Sequence, residues 1–537
     1  MADAMTSRIS FIFSAAIVGF FLLFRVASPI SIDTAYMIDT TFLANLGWRG
    51  VNGLSPVLDY WHFYGGFTEA NLTLAFQLFG VSMKSVDFAF ALIFSEAAAL
   101  LALLSVKRLS CTSFWLLLAI SATIILGPIS IEDGYLPYTN HSFVYNHFAM
   151  IVIIAVSIFA INSRSEYASL DILSSLIVGM TLLILALTKP TFLVVAPFAV
   201  AACAIRKDLR AAALIVLGFV LALVFLDPWA VRFRGSLNEI MLMGQIERAG
   251  GLHGRMQHTL LTLIAHAGYL VVLGYFLWLF AKGKTMRTAS FFASIFLCAA
   301  AFGAATLSMN GRPDLMMLPM IILLLTILSD RLKNQTHRSL GYFSATVMGA
   351  VLILPAAYHS GKTWLRMNEA KLSQLITEGP LANYVVLEPA TPSELPSHVV
   401  FEVRLETAVS EAAKRLKSGG QIRARDPYVV LADGVHLLNQ ISDVSNYGII
   451  TRGSTFDFTV PMTSRPVPSF PVWPLQRSTS LLDVSEVDII MSVRYYTAPD
   501  HLSPEATAII AQEFRTCRES TFFILSVRRS NMDVPCN

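Results

Sequence analysis

"LLILALTKPTFLVVAPFAV" (residues 182–200) is apolar on both sides of a Lys189-Pro190 pair, and its reading sets the architecture of the whole chain. Read as one segment, 170–205 is a single kinked helix. Read as two, it is a pair of short apolar helices meeting at a polar tip. Loop charge decides between them. With the split, apolar runs near 9–24, 86–106, 112–128, 147–162, 170–187, 191–205, 211–226, 259–281, 289–307, 314–329 and 339–357 make eleven membrane spans. The loops "VKRLS", "NSRSE", "RKDLR", "KGKTMR" and "DRLKNQTHR" then all face the cytoplasm, as Lys/Arg-rich short loops do. Without the split, the last three turn outward against that bias. Two helices are therefore expected, with a cytoplasmic N-terminus and everything after residue 358 outside. Arg25, Arg232 and Arg234 fall on the outer side and oppose the trend.

Composition agrees with a polytopic α-helical membrane protein. Of 537 residues, 55% are hydrophobic and 14% charged, with a mean hydropathy of +0.61; soluble domains carry about 25% charged residues. A net charge of +3 with no basic tail gives no reason to expect a nucleic-acid partner. The first run, "ISFIFSAAIVGFFLLF" (9–24), precedes "VASPI", which could pass as a cleavage site. An uncleaved first helix is favoured, because the region beyond it carries the polar groups discussed below. Residues 1–357 are thus read as a helical bundle with long outer loops at 29–85, 129–146 and 227–258.

From about 365 to 537 the chain reads as an exported α/β domain. "HVVFEVRL", "VDIIMSVRYY" and "TFFILSVRR" have strand patterning. "ETAVSEAAKRLKSGG" and "SPEATAIIAQEFRTC" have helical spacing, and "PMTSRPVPSFPVWP" (461–474) is a loop. Cys111, Cys203 and Cys298 lie in or beside spans and read as packing. Cys517 and Cys536 both lie in the exported tail, where oxidation is available; a disulfide between them is expected to tie the trailing end of the last strand to the preceding helix.

The first outer loop is more than a linker. "IDTAYMIDTTFLANLGWRG" and "TEANLTLAFQLFG" have helical apolar spacing and are expected to lie on the membrane surface. Between them "GLSPVLDYWHFYGGF" packs Asp59, Tyr60, Trp61, His62 and Tyr64 between glycines. Such groups anchor interfaces as often as they bind substrates. Asp33 is different: a carboxylate immediately after a span must be solvated, paired or used. Asp39, six residues on, is the second candidate.

The next outer loop, "IEDGYLPYTNHSFVYNHFAM" (131–150), has no Lys or Arg but offers Glu132, Asp133, Tyr138, Asn140, His141, Tyr145, Asn146 and His147. These hydrogen-bonding groups suit a polyhydroxyl substrate, or merely a solvated loop. They could also surround a divalent cation, although no ligand spacing defines a metal site. Cations follow at Lys189, at Arg232, Arg234, Arg248 and Arg255 in 227–258, and at Arg312 with Asp314 in "MNGRPDLMM". At headgroup depth they could hold a lipid phosphate, bind anionic membrane lipids, or pair locally. A base, phosphate-binding cations and a sugar-friendly loop are what glycosyl transfer from a lipid phosphate requires.

In layout the chain resembles the GT-C superfamily of integral-membrane glycosyltransferases, which includes protein mannosyltransferases, aminoarabinose transferases and arabinosyltransferases. The likeness rests on a first span leading to an early acid, amphipathic segments flanking "GLSPVLDYWHFYGGF", many short spans and a closing outer domain. It implies a polyprenyl-phosphate sugar donor, a glycan, lipid or protein acceptor, and Asp33 as the catalytic carboxylate of an inverting transfer in the inner (plasma) membrane. Several relatives have an Asp-Glu doublet after the first span, whereas Thr34 follows Asp33 here and the early acidic doublet is Glu132-Asp133. A flippase of a lipid-linked saccharide should show repeated halves and more charge inside spans than Glu96 supplies. A glycan polymerase or ligase usually carries its large loop between spans. A mere anchor for the tail would not need eleven spans.

The topology is open to a direct test. A reporter active only in the cytoplasm, fused after residue 537, should be silent; a bright one would reverse the orientation.

Overall fold

The structure, a computed structural model, describes residues 2–33, 37–56, 58–60, 66–127, 129–132, 136–139, 144–162, 168–227, 231–235, 237, 264, 267–282, 286–307, 314–387, 404–419, 422–423, 425–452, 456–468, 484–494, 504–530 and 536. The N-terminal half runs through α1 (Ala2–Ala27), β1 (Ser31–Asp33), α2 (Met37–Val51), α3 (Gly66–Phe79), α4 (Met83–Ser105) and α5 (Cys111–Leu126). A hairpin of β2 (Ile129–Glu132) and β3 (Leu136–Thr139) leads to α6 (Val144–Ile161), α7 (Ala168–Thr188), α8 (Val195–Ile205) and α9 (Leu209–Leu226). Then come α10 (Ala267–Ala281), α11 (Met286–Leu307), α12 (Asp314–Arg331), α13 (Gln335–Leu365) and α14 (Met367–Leu372). The last part holds β4 (Tyr384–Val386), α15 (Leu405–Lys417), α16 (Asp426–Leu438), β5 (Ile449–Arg452), β6 (Ile489–Val493), α17 (Pro504–Glu513), β7 (Phe514–Glu519) and β8 (Phe523–Arg528).

The chain is an integral membrane protein. Each of the eleven apolar runs falls wholly or largely on a helix, and among the described residues six helices (α1, α4, α6, α7, α9 and α13) are long and apolar enough to cross a bilayer. Their outward faces are greasy: Phe225, Val271, Phe296 and Phe343 are all exposed, which only lipid makes favourable. Helix α6 is buried along its whole length and forms the bundle's axis. Helices α7 and α9 meet backbone to backbone at Gly179 and Gly218, where an added Cβ would lie 2.1 Å from the Ile215 carbonyl oxygen or 2.3 Å from that of Leu176; small residues permit such approach in lipid.

The polar loops terminate the spans by capping them. Ser110 of "VKRLS" accepts from the Ser113 N–H, Asp208 of "RKDLR" from Ala211, and Asn334 of "DRLKNQTHR" from Thr336 and His337, each satisfying amides that a helix start leaves open. The break at Lys189-Pro190 is present as expected. Helix α7 ends at Thr188, Lys189 is extended (φ −158°), and Pro190 starts a 3₁₀ turn leading into α8. A residue before proline is disfavoured in the helical region, which favours a break there, although Pro319 and Pro355 are accommodated inside helices.

Arg25, which opposes the expected loop-charge trend, is explained by pairing. It forms a buried ion pair with Asp87 (2.8 Å), donates to the Leu126 carbonyl (2.8 Å) and lies 4.9 Å from the Phe90 ring centre. It bolts α1 to α4 and α5. Deleting one partner of such a pair leaves a buried charge, at a cost of about 3–5 kcal/mol.

The last part folds as an α/β domain. Its sheet has order β5-β6-β8-β7, with β5 and β6 parallel and the other pairs antiparallel. Alternate residues serve opposite faces. Ile449, Ile489 and Leu525 join the α16 core, while Ile450 and Ile490 pack with Ala506 and Ile510 of α17. The α16 core is continuous with that of the membrane bundle.

Three sequence expectations need correction. Helix α2 does not lie on a membrane surface with a watered face. In α2 even Asn45 and Arg49 are buried, because Trp48 Nε1 donates to the Ser464 carbonyl (2.9 Å) and Arg49 Nη1 to that of Val467 (3.1 Å), docking the helix against the last domain. The helix from 503 stops at Glu513, and "FRTC" belongs to β7, since Phe514 to Glu519 pair with β8. Arg404 and Leu405 open α15 rather than closing a strand, and 398–403 lie outside the described residues.

The disulfide Cys517–Cys536 is formed, and it ties the trailing end of the chain to β7 rather than to a helix. The loop it closes is short, so its contribution is about 3 kcal/mol at most. A membrane-impermeant maleimide should label neither cysteine in untreated cells and both after reduction; labelling before reduction would exclude the bond.

Candidate active site

Asp33 ends the short strand that follows the first span. It is fully buried. Its Oδ2 accepts from the Thr40 hydroxyl at 2.7 Å, on the first turn of α2, and from the Tyr384 hydroxyl at 3.0 Å. Strand β1 pairs in parallel with β4, Ser31 opposite Tyr384 and Asp33 opposite Val386. Burying a carboxylate is costly unless donors meet it, and these hydroxyls meet it. Burial, then the neighbouring Asp33 carboxylate, push the Tyr384 phenol well above its usual value, so it stays a donor.

A second cluster lies where α2 crosses α3. The crossing is close, since a Cβ on Gly50 would lie 2.0 Å from Thr73 Oγ1 and 3.1 Å from Glu69 Oε1. Arg49 is buried over the Tyr60 ring, 4.7 Å from its centre, a contact worth about 2 kcal/mol when desolvated. Burial draws the Arg49 guanidinium down, and the Asp457 carboxylate opposes this. Asn45 donates to the same Asp457. Burial pushes the Glu69 carboxyl up to about 8, against the lowering effects of Arg232, Tyr60 and Arg49. Burial, then Glu69, also raise the Tyr60 phenol. Ser55 links the rest: its hydroxyl accepts from Arg232 Nη2 (3.1 Å), and its N–H donates to Asp59 Oδ2 (2.7 Å). Arg232 is itself set by Asp227, whose Oδ1 and Oδ2 accept from the N–H groups of Arg232 (3.1 Å) and Phe233 (2.7 Å).

The candidate residues therefore divide. Asp59, Tyr60 and Arg232 come together around Ser55 and Glu69, while Asp33 forms its own centre with Thr40 and Tyr384. Asp39 is half-buried in the first turn of α2, and Arg234 is exposed. Tyr145 and Asn146 are buried at the start of the axial helix, and Asn146 Oδ1 has no hydrogen-bond partner among the described residues. Lys189 is buried with its Nζ 5.8 Å from the Phe192 ring centre. His62, Tyr64, Asn140, His141 and Arg312 lie outside the described residues, as do the side chains of Asp314 and Glu132. Among the described residues no three His, Cys, Asp or Glu side chains gather in a way that could hold a metal ion.

Three participants were not singled out from sequence. Glu69 is an acid in the first turn of a helix, where the dipole alone accounts for one. Arg49 looked like the polar edge of an amphipathic segment. Tyr384 lies 351 residues from Asp33, and no local pattern links them.

No protein-family model matches the chain, and no curated protein matches it in sequence. Solved structures do match over nearly the whole length. ArnT from Cupriavidus metallidurans bound to undecaprenyl phosphate is 12% identical, with a TM-score of 0.50, covering 97% of this chain and 98% of that one. The same protein in the apo state is 13% identical, with a TM-score of 0.45, covering 96% and 97%. The Archaeoglobus fulgidus oligosaccharyltransferase, tethered to an acceptor peptide containing an NVT sequon, is 12% identical, with a TM-score of 0.42, covering 99% and 75%. The chain has the GT-C fold.

The Glu69 environment has a thermodynamic signature. The folded chain keeps a proton that the unfolded chain, with a value near 4.5, releases. The stability linked to this group is full below about pH 4.5 and is lost as pH rises through about 8. Glu69→Gln keeps the neutral form at every pH, so its melting point in detergent should gain on the parent between about pH 5 and 8. A difference that does not change with pH would mean that Glu69 is ionised in the fold.

Proposed function

We propose that this chain transfers a sugar from a polyprenyl-phosphate donor to a glycan, lipid or protein acceptor at the outer face of the inner (plasma) membrane, periplasmic in a Gram-negative cell, with Asp33 as the base. One observation carries the reading: in a GT-C fold, the carboxylate that follows the first span is buried and held by two hydroxyl donors at 2.7 and 3.0 Å.

The acceptor hydroxyl oxygen attacks the anomeric carbon of the donor sugar while its proton passes to the Asp33 carboxylate. The bond from that carbon to the phosphate oxygen breaks, and polyprenyl phosphate leaves with the electron pair. A single displacement inverts the anomeric configuration. Negative charge grows on the departing phosphate, and preorganised cations stabilise it best in a site that excludes water. Arg232, held by Asp227 and Ser55, and buried Lys189 are the cations that fit this role. Tyr60, Asp59 and Glu69 offer hydrogen bonds to sugar hydroxyls, and so do Tyr145 and Asn146 at the head of the axial helix. In the proposed reaction Glu69, carrying its proton near neutral pH, donates rather than competes with Asp33 as a base.

A polymerase or ligase would run the same displacement on a longer acceptor, and product length separates it from single transfer. Mass spectrometry of envelope glycans and lipid carriers in a deletion strain should show a missing sugar and accumulated polyprenyl-phosphate sugar. With the donor thus identified, Asp33→Asn should lower the initial transfer rate of purified protein by about two to four orders of magnitude, while insertion and expression persist. Arg232→Ala or Lys189→Ala should lower kcat/KM for the donor. A parental rate in D33N would remove Asp33 from the role of base.

A further inference from the structure

We propose that Tyr384 is a positioning residue for the base, so that the exported domain supplies part of the reaction centre built at the end of the first span. This rests on the reading of Asp33 as the base and names what orients it.

The geometry is specific. Along a strand, alternate side chains share a face, so Ser31 and Asp33 point the same way. Tyr384 stands opposite Ser31 and reaches one pair along to place its hydroxyl 3.0 Å from Asp33 Oδ2. Thr40 holds the same oxygen from the opposite direction in sequence, at 2.7 Å. Two donors converging on one carboxylate oxygen fix the rotation of the group, which a single donor would leave loose. A base must meet its proton within hydrogen-bond reach, and small misplacements are expensive in rate.

Tyr384 is itself held by three independent contacts. Ser31 N–H donates to the Asn383 carbonyl (2.7 Å) and Leu387 N–H to the Asp33 carbonyl (2.8 Å), fixing the register of the two strands. From α16, the Tyr428 hydroxyl donates to the Tyr384 carbonyl (2.9 Å) and accepts from the Leu375 N–H (3.1 Å). The two tyrosine rings meet edge to face at 6.1 Å. A line of contacts thus runs from α16, through β4, to the carboxylate. A tyrosine needed only to fill the core would be served by its ring. Here the hydroxyl is aimed at a buried charge.

The test separates orientation from packing. Tyr384→Phe keeps the ring and removes only the donor. It should lower kcat about tenfold to a hundredfold, leave the KM for the donor unchanged, and melt close to the parent. In a D33N background the same change should have no further effect, because there is no base left to orient. A parental kcat in Y384F beside a crippled D33N would overturn the role of Tyr384 and leave the base standing. Equal losses from Y384F in both backgrounds would also overturn it, since Tyr384 would then act apart from Asp33. A parental rate in D33N would defeat both readings. If Y384F does not fold, Tyr428→Phe removes the anchor of the Tyr384 carbonyl together with the acceptor of the Leu375 N–H while leaving the Tyr384 hydroxyl in place; a lower kcat at unchanged KM supports the proposal, and a parental kcat overturns it.

Discussion

A carboxylate removed from water has to be solvated by something else, and in this chain the rest of the architecture is arranged around that requirement at Asp33. Its two hydroxyl donors come from parts of the sequence with nothing else in common: the helix just after the first span and the first strand of the last domain. For both to arrive, β1 must be paired with β4, and β4 must be carried by a domain seated on the outer loop. The α2 contacts with 457–468 provide that seat through Asn45, Trp48 and Arg49. The bundle, the outer loop and the α/β domain are therefore parts of one site, and their shared hydrophobic core is the packing counterpart of that dependence.

The polar groups sort by how they are neutralised. Arg25 and Asp87 cancel each other inside the bundle, as do Arg108 and Asp171 at 2.9 Å; their work is to fix helices. Around Ser55 and Glu69 the balance is incomplete by design of the packing. Arg49 and Arg232 both lie near the Glu69 carboxyl group, whose ionisation burial resists. An environment in which titration is displaced by burial and by specific charge partners marks a site of chemistry more often than one of structure.

How much could be read from the sequence depends on the range of the interaction involved. The spans are legible because each is a local run of apolar residues, separated by short basic loops. The split at Lys189-Pro190 is legible because proline acts on its immediate neighbour. Asp33 is legible because a carboxylate right after a span is conspicuous. Arg25 could be noticed but not explained, since Asp87 lies 62 residues away. The burial of α2 was hidden for the same reason: helical spacing reports that one face is apolar, but Asn45, Trp48 and Arg49 face a domain more than 400 residues further on. The strand β7 was taken as helix because "AIIAQEFRTC" keeps helical spacing, and only its pairing with β8 overrides that preference.

The 351 residues between Asp33 and Tyr384 also have a consequence in time. Chains are made at about 5–20 residues per second, so roughly twenty seconds to a minute of synthesis separates Asp33 from its partner. During that interval the first span is in the membrane and the carboxylate has only its local donor. The helices between them must be made before β4 can pair with β1. A nascent or truncated chain would therefore display a bundle with the outline of the finished protein and no assembled centre. Assembly of the Asp33 environment becomes a late event in biogenesis, delayed until the chain through β4 has been made.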